Sequence, residues 1–454
     1  MAATRARSIW SQTFSEYGML LVLLLLCVFF GWATYGQQRL TADAAARQLA
    51  DRIAADFDDG VLVLIVARTN ADDVLFANRL ESLLRDRSIS VSGVVSGAPF
   101  EVRRGLEQID TDGAAPQLIA CNQTVARWAL LDHLSQKFPA LADAQVVAPA
   151  SQSWPTFFKR DNLRNVANQI AVIAIIAVGM TMVIITAGID LSVGSLIALS
   201  AVVATRLIRD TAGGEQATVA TMTLCCVAGI AVCAVVGAFS GLMVTRFRIP
   251  PFIVTLGMML VASGLAYTLA EGQSIYQVPD RFIWLGRGAD LLGIPNAVVL
   301  TLLLYAAAHV VMTRMTWGRY IYAVGGNREA ARLSGVPVRR VVLAVYVVSG
   351  ALAGLGGVVM ASQLKSGSPT YGQMYELYVI AAVVVGGTSL SGGEGKVLGT
   401  LIGALIIAVI QNGMNLTGVE SYTQKIVLGL VILGAVLLDM LKRQGWQLFR
   451  GGSM

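Results

Sequence analysis

Histidine is scarce in this chain, and the usual metal-binding spacings are missing. Only His133 and His309 occur among 454 residues, and there is no CxxC pair, HExxH segment or paired His/Cys spacing, so no zinc site is expected. Four of the five cysteines lie in apolar runs. Cys121 stands alone in a polar segment, which excludes an internal disulfide there. We therefore predict neither a metal site nor a cofactor.

The chain also lacks a phosphate-binding loop, although one stretch resembles part of an ATPase. Leu390 to Glu394 reads LSGGE, close to the signature loop of ABC ATPases. An ATPase also needs a GxxxxGK[ST] loop. Here Gly395-Lys396 is followed by Val397, and Leu390 stands where the first glycine belongs. We predict that the chain is not an enzyme and that this glycine-rich stretch is a flexible connection with Lys396 at the cytoplasmic surface.

Charged residues are few, and their distribution argues against a nucleic-acid partner. Charged residues make up 14% of the chain and hydrophobic residues 55%, with a mean hydropathy of +0.66, which is typical of a membrane protein. Residues 36–161 hold 13 Lys/Arg and 16 Asp/Glu, so the rest holds 34 − 13 = 21 and 28 − 16 = 12. The positive excess lies in short loops between apolar runs, where membrane orientation explains it.

Apolar runs of membrane-spanning length dominate the chain. The first, Tyr17 to Tyr35, follows Arg5 and Arg7 and is predicted to be an uncleaved spanning helix, with a cleaved signal peptide as the alternative. Further runs lie at about 168–187, 191–208, 218–245, 252–270, 296–313, 341–362, 376–388, 397–416 and 424–441. The run 376–388 is short enough to be a broken or re-entrant piece.

Ten spans place both termini on one side of the membrane, and the charge distribution supports the cytoplasmic side. Predicted cytoplasmic segments hold fourteen Lys/Arg, against seven in the exported short loops outside residues 40–155. The basic island Gly318 to Arg340 contributes most: six arginines lie between Arg314 and Arg340, with Glu329 as the sole acid. Its helix-forming NREAARL core suits a surface on which a second protein pushes.

Residues 40–155 are predicted to form a soluble, exported α/β insert. Strand patterns at 61–67, 89–95, 117–121 and 146–148 alternate with helical patterns at 72–87, 101–109 and 122–138. Such alternation indicates a small parallel sheet with right-handed crossovers. The fold class is therefore an all-α polytopic membrane protein of about ten transmembrane helices with a small α/β insert.

Polar residues inside apolar runs are the candidates for a solute path. Asp190, in ITAGIDLSVGS, either caps the next helix at a tight turn or lies in a broken helix that lines the path. Asn412 and Asn415 lie one turn apart and either line a polar path or bond neighbouring helices. Glu376 is placed at a span end and is expected to be solvated. The candidate path residues are Asp190, Ser192, Thr388, Asn412 and Asn415.

Four motifs together resemble the permease subunit of the ribose/monosaccharide branch of ABC importers: Gly179 to Ser200, Gly318 to Val336, Ala381 to Ile406 and Gln411 to Val419. The resemblance covers about residues 155–443 closely. It implies a homodimer of permease chains in the lipid of the bacterial inner membrane, cytosolic ABC ATPase subunits and a periplasmic sugar-binding protein. It also implies an ATPase-coupling loop that includes Gly326, Asn327, Glu329, Ala330, Ala331 and Gly335.

The insert departs from this family, whose members usually pass almost directly from the first helix to a segment like Trp154 to Asn162. Its Ile119 to Leu134 weakly resembles one lobe of a periplasmic sugar-binding protein. It is expected to dock the binding protein, to be the remnant of a fused one, or to be decorative. The predicted domains are a first helix (1–39), the insert (40–155), the permease domain (156–443) with its coupling loop at 314–340, and a cytoplasmic tail (444–454).

The expected function is import of a monosaccharide such as a pentose, driven by a partner ATPase. An ion-coupled carrier would need intramembrane acids in a relay, and only Asp190 is a candidate. A sensor with an exported ligand domain would not need ten spans.

Overall fold

The computed structural model describes residues 2–38, 41–57, 60–111, 116–131, 134–150 and 152–444. The chain divides into two compact units, Met1–Thr34 together with Phe157–Met454, and Tyr35–Thr156. His133 and nearly all of the predicted tail lie outside the described residues.

After the first helix, α1 (Ala2–Ala33), the second unit is built on a small sheet. Its elements in chain order are β1 (Tyr35–Gln38), α2 (Ala42–Asp56), β2 (Leu62–Ala67), α3 (Ala71–Asp86), β3 (Ser90–Ser96), α4 (Pro99–Thr111), β4 (Leu118–Cys121), α5 (Leu134–Lys137), β5 (Gln145–Val147) and β6 (Gln152–Pro155). The order β3-β2-β4-β5 is parallel throughout, as the sequence predicts. β1 and β6 form a separate antiparallel pair at the two ends of the unit.

Both faces of the parallel sheet are covered, which is why its central strands are continuously apolar. Helices α2 and α3 pack on one face through residues such as Leu49 and Leu80. Helix α4 and the segment after β4 cover the other face through Leu106 and Val125. Helix α2 and the β1–β6 pair were not predicted, since an alanine-rich helix and two polar strands give little hydrophobic pattern.

The helix predicted over 122–138 is wrong for most of its length. Among the described residues, turns follow Asn122, and the helix extends only over Leu134–Lys137. The Asn122 carboxamide oxygen accepts hydrogen bonds from the backbone N–H groups of Thr124 at 3.0 Å and Val125 at 2.9 Å. This local side-chain bonding stabilises a turn in competition with a helix.

The membrane unit continues from Phe157 as a series of helices. They are α6 (Arg160–Ile185), α7 (Val193–Thr211), α8 (Val219–Arg246), α9 (Pro251–Leu269), α10 (Trp284–Arg287), α11 (Asn296–Arg314), α12 (Thr316–Gly326), α13 (Arg328–Leu333), α14 (Val338–Leu364), α15 (Tyr375–Val385), α16 (Val397–Leu416) and α17 (Ser421–Gln444). Among described residues, α6, α8, α9, α11, α14 and α16 are long and apolar enough to cross a membrane. Shorter apolar stretches lie in α1, α15 and α17, and α7 has spanning length.

Helix α6 forms the centre of this unit, since residues 170–186 are all buried. Buried hydrogen bonds tie it to α11 and α16, among other helices: Tyr305 of α11 donates to the Ala174 carbonyl at 3.1 Å, and the hydroxyls of Thr181 and Thr400 lie 2.8 Å apart. Helix α14 packs on α8 where glycines lie four residues apart on each helix, at Gly237 and Gly241 of α8 and at Gly350 and Gly354 of α14. A Cβ on Gly237 or on Gly350 would overlap the backbone of the opposite helix, which is the close approach that such spacings permit in lipid.

Candidate functional site

Two helix breaks and one glycine-rich junction contain most of the residues singled out by sequence. The first break separates α6 from α7, with Ala187 in the left-handed region at φ 58°. Asp190 lies in this break and is only 1% exposed. One carboxylate oxygen accepts from the backbone N–H of Ser192 at 3.1 Å and from its hydroxyl at 2.6 Å. The local geometry is thus a tight turn, as in one of the two interpretations, but Asp190 does not cap α7, whose N-cap is Ser192.

The other Asp190 oxygen reaches beyond the turn. It accepts a hydrogen bond from the Ser349 hydroxyl at 2.8 Å, and Ser349 lies near the middle of α14. Three bonds therefore satisfy a carboxylate that would otherwise be costly at membrane depth. Sequence reasoning missed Ser349, although it is the one polar side chain between Tyr346 and Ser362 and could have been noted for that reason.

A second break lies between α14 and α15. Lys365 ends α14 in the left-handed conformation, and residues 366–374 form neither helix nor regular strand except for a bridge at Gly367. This segment lies along α7: a Cβ on Gly367 would overlap Thr205, and one on Gly372 would overlap the carbonyl of Gly194. The segment thus follows α7 back toward its first turn. The short predicted run at 376–388 is a broken piece, since α15 ends at Val385.

The first turns of α7 and α15 therefore meet. A Cβ on Gly194 would overlap the Glu376 carboxylate. Glu376 is half-buried, so the expectation of a solvated glutamate was wrong. The reason is the re-entrant course of residues 366–374, which brings a span end to another helix. Facing N-terminal ends of broken helices are a common substrate-site geometry in transporters.

The segment leading into α15 is rich in hydroxyl and aromatic groups. The hydroxyls of Ser368 and Thr370 lie 2.9 Å apart, and the Ser366 hydroxyl contacts the Tyr371 hydroxyl. The rings of Tyr375 and Tyr378 pack edge to face with centroids 6.0 Å apart. Hydroxyls, a carboxylate and aromatic faces are groups that bind polyhydroxylated solutes through hydrogen bonds and apolar contact.

A glycine-rich junction joins three of the sequence motifs. The Gly393 N–H donates to the Ile185 carbonyl at the end of α6 at 2.9 Å. The Tyr322 hydroxyl of α12 donates to the Gly395 carbonyl at 2.8 Å. A Cβ on Gly325 would overlap both the Ile185 carbonyl and the Gly393 backbone. The glycines at this junction therefore allow backbone-to-backbone contact that any larger residue would prevent.

The glycine-rich stretch is consequently not the flexible connection that was predicted. Thr388 and Ser389 are each 1% exposed, and the Ser389 N–H bonds to the Glu394 carbonyl at 3.1 Å. The Thr388 hydroxyl is buried without a hydrogen-bond partner among the described residues. Glycine composition indicated freedom of the backbone, whereas the structure uses it for close packing.

The predicted coupling segment leads directly away from this junction. Asn327 caps α13, since its side chain accepts from the Ala330 N–H at 3.0 Å, and Gly335 follows at φ 82°. Ala331 is buried, whereas Glu329 is exposed and contacts Arg332 at 3.0 Å. Leu333, which sequence reasoning did not single out, is 80% exposed. An exposed leucine beside charged side chains suits a protein-binding surface.

The two asparagines of α16 lie elsewhere. Asn412 and Asn162 of α6 exchange side-chain hydrogen bonds at 2.9 Å. Asn415 is exposed and accepts from Gln424 of α17 at 2.8 Å. Both side chains join neighbouring helices, which was one of the two alternatives. Within the described ranges no cluster of three or more His, Cys, Asp or Glu residues could hold a metal ion.

Comparison with known proteins agrees with this architecture. Residues 162–436 match the family described as branched-chain amino acid transport system / permease component. The ribose import permease of Escherichia coli (strain K12) is 44% identical over 302 residues, which cover 66% of this chain and 91% of that protein.

Two further relatives carry other sugar names. The D-allose transport system permease of Escherichia coli (strain K12) is 36% identical over 285 residues, 63% of this chain and 85% of the relative. The fructose import permease of Rhizobium meliloti is 37% identical over 294 residues, 62% of this chain and 79% of the relative. No solved structure matches the chain significantly.

Proposed function

This chain belongs to the permease family of ribose/monosaccharide ABC importers, and from that premise we propose that it carries a ribose-like pentose or a related monosaccharide across the bacterial inner membrane. It acts as a multi-pass transport subunit. A cytosolic ATPase pair supplies the energy, and a periplasmic binding protein delivers the sugar. A second copy of the chain completes the pathway, and both termini face the cytoplasm.

The glycine-rich junction, which we propose to face the cytoplasm, is the observation that carries the proposal. Helix α13 follows α12 directly, and α12 contacts the glycine-rich loop through Tyr322 and Gly325. That loop in turn bonds the end of α6 at Ile185. A push on α13 by the ATPase therefore reaches the α6–α7 break through packed backbone, where rigid elements transmit displacement better than flexible ones.

The α6–α7 break is the part of the chain that moves in response to the ATPase. Asp190 holds this break to α14 through Ser349, while the first turn of α7 lies against Glu376 of α15. Movement of Ile185 would alter this contact between the starts of α7 and α15. Ser192 and Thr388 act with Asp190 in positioning the break, and hydroxyl-bearing residues 366–371 supply sugar contacts. Alternating access then releases the sugar to the cytoplasm.

The coupling role of α13 is tested by charge reversal at its exposed face. We expect Glu329→Arg to abolish most ATP-driven uptake in reconstituted vesicles and to weaken co-purification of the ATPase, because the substitution changes the charge of the docking surface. Glu215, exposed in the loop between α7 and α8, provides the matched control Glu215→Arg, which should transport normally. Full uptake by Glu329→Arg would contradict the docking role.

The insert is proposed to position the binding protein on the periplasmic side. Deletion of residues 42–152 is expected to weaken binding-protein affinity and uptake while ATPase association persists. The membrane unit carries its own hydrophobic core, so ATPase co-purification reports whether the shortened chain has folded. Unchanged uptake together with unchanged binding-protein affinity would identify the insert as decorative.

A further inference from the structure

A crevice of about 540 Å³ lies in the second unit at the carboxyl ends of its parallel strands. Residues after β2 form one wall, and residues after β4 form another. In open parallel sheets, ligands bind outside the carboxyl ends of the strands where consecutive connections leave toward opposite faces. The crevice is therefore in the position where this class of sheet places its ligand site.

The strand order shows that β2 and β4 form such a point. β2 and β4 are neighbours in the sheet, with β3 beyond β2 and β5 beyond β4. After β2 the chain enters α3, which packs on one face through Leu80. After β4 it passes through Val125 and Leu131, which pack on the other face. The two connections separate, and the space between their first residues is the crevice.

The lining is polar and contains both donors and acceptors. Asp73 is 6% exposed and forms an ion pair with Arg68, Nε to Oδ2, at 2.6 Å. The hydrogen bond to Asp73 raises the pKa of Arg68, so the guanidinium stays charged. Further lining groups are the hydroxyls of Thr41 and Thr124, the carboxylate of Asp72 and the carboxamides of Asn70 and Asn122.

The charged groups of the lining sum to a single negative charge, that of Asp72. Arg68 and Asp73 offset each other, and Asp72 lies in the first turn of α3, where the helix dipole favours a carboxylate. The volume falls within the roughly 300–1,000 Å³ of small-molecule sites. The Asn70 and Asn122 carboxamide oxygens already accept backbone hydrogen bonds. A neutral ligand with many hydroxyl groups can donate to the Asp72 carboxylate and accept from the guanidinium and amide N–H groups.

We propose that this crevice binds a neutral polyhydroxylated solute of monosaccharide size on the permease chain itself. The inference goes beyond the proposed transport function, because a solute path through the membrane unit needs no second site. A site in the insert would hold sugar at the permease independently of the binding protein. It would thereby couple solute concentration to the state of the transporter.

Equilibrium dialysis of the purified full-length chain in detergent, without ATPase or binding protein, tests the proposal. Radiolabelled D-ribose, D-allose and D-fructose are the probes, with putrescine and glutamate as charged comparisons. We expect saturable binding of at least one sugar and neither charged solute. Asp72→Ala should weaken it at least tenfold, and Thr41→Trp should abolish it by filling the crevice. The Thr41 side chain makes no cap hydrogen bond to α2, so its replacement removes no such bond.

Matched variants separate loss of the site from loss of the fold. Asp86→Ala, at the other end of α3, and Thr69→Trp, at an exposed threonine outside the crevice lining, should bind as the unchanged chain does. No sugar binding by the unchanged chain would overturn the proposal. So would binding that survives Asp72→Ala and Thr41→Trp, since the sugar would then occupy the membrane unit. Uptake measured with the partner proteins reports on the transport function separately.

Discussion

Helices α6 and α8 have nearly the same hydropathy and very different surroundings. Their most apolar windows have mean hydropathies of 2.3 and 2.5, yet 89% of the α6 window and 22% of the α8 window are buried within the chain. Hydropathy therefore indicates that a segment lies in the membrane and not which neighbours it has. In lipid, apolar side chains gain little from leaving the acyl chains, so packing is decided by shape and polar bonds.

Small side chains mark the part of α8 that does pack. A small residue recurs every fourth position and is buried each time, at Gly229, Cys233, Gly237 and Gly241. Large residues of α8 outside this stripe, such as Leu224 and Val235, are about 70% exposed. The stripe of small residues is thus the helix–helix face, and the large residues are available to lipid or a second copy.

The largest expected effect concerns two adjacent glycines at the end of α12. A Cβ on Gly325 would overlap the backbone of Ile185 and Gly393, whereas a Cβ on Gly326 would meet no atom within 4 Å. We expect Gly325→Ala to reduce ATP-driven uptake at least tenfold in reconstituted vesicles, because the added methyl group separates the contacts of the glycine-rich junction. Gly326→Ala should retain most uptake.

Both variants should insert in the membrane to similar amounts, which immunoblotting of membrane fractions would establish. Equal uptake by the two alanine variants would show that the close approach at Gly325 is not needed for coupling.

A smaller effect, on stability, is expected when one valine of α6 and one valine of α8 are each replaced by alanine. Val183 of α6 is fully buried, and Val235 of α8 is 68% exposed. We expect Val183→Ala to destabilise the chain by about 1–2 kcal/mol through lost packing and to lower the midpoint of thermal unfolding in detergent by several degrees. Val235→Ala should leave the midpoint nearly unchanged. A larger fall in the unfolding midpoint for Val235→Ala than for Val183→Ala would mean that α8 packs against another protein chain.

The smallest expected effect is on the chemical labelling of Cys121, the sole cysteine of the insert. Cys121 is fully buried, and desolvation raises the pKa of its thiol to about 12. Because the thiolate is the reactive form and the raised pKa keeps the thiol protonated, maleimide should not label Cys121 between pH 6 and 9 unless the chain is denatured. Thr69→Cys, at an exposed position, should label rapidly. Rapid labelling of Cys121 in the folded chain would contradict the buried β4.

Secondary structure could be predicted from sequence where the spacing of apolar residues within a short segment determines it. The strands around Val63 and Ile119 follow from short apolar runs, and the helix over Asp72 to Arg87 follows from the helical spacing of its apolar residues. The helix predicted after Asn122 is wrong because the Asn122 carboxamide oxygen accepts hydrogen bonds from the backbone N–H groups of Thr124 and Val125. The glycine-rich loop was misjudged because glycine permits both a flexible chain and close packing, and only the neighbouring backbone decides between them.

The candidate site divides in the same way. The polar residue Asp190 and the helix-forming segment after Asn327 could be singled out in the sequence because charge at membrane depth and helix capping are local properties. The pairings of Asp190 with Ser349 and of Gly393 with Ile185 could not be predicted, since the members of each pair are distant in the chain. Glu376 was misplaced for the same reason.

Ten apolar segments, an α/β insert and a basic loop follow from the order of residues alone, because transfer into lipid and periodic burial depend on composition within a short window. The tertiary structure decided that α6 is central and α8 peripheral, and that Gly325, Gly393 and Ile185 meet. Those contacts join residues far apart in the chain. Their geometry depends on how whole helices pack, which no local window contains.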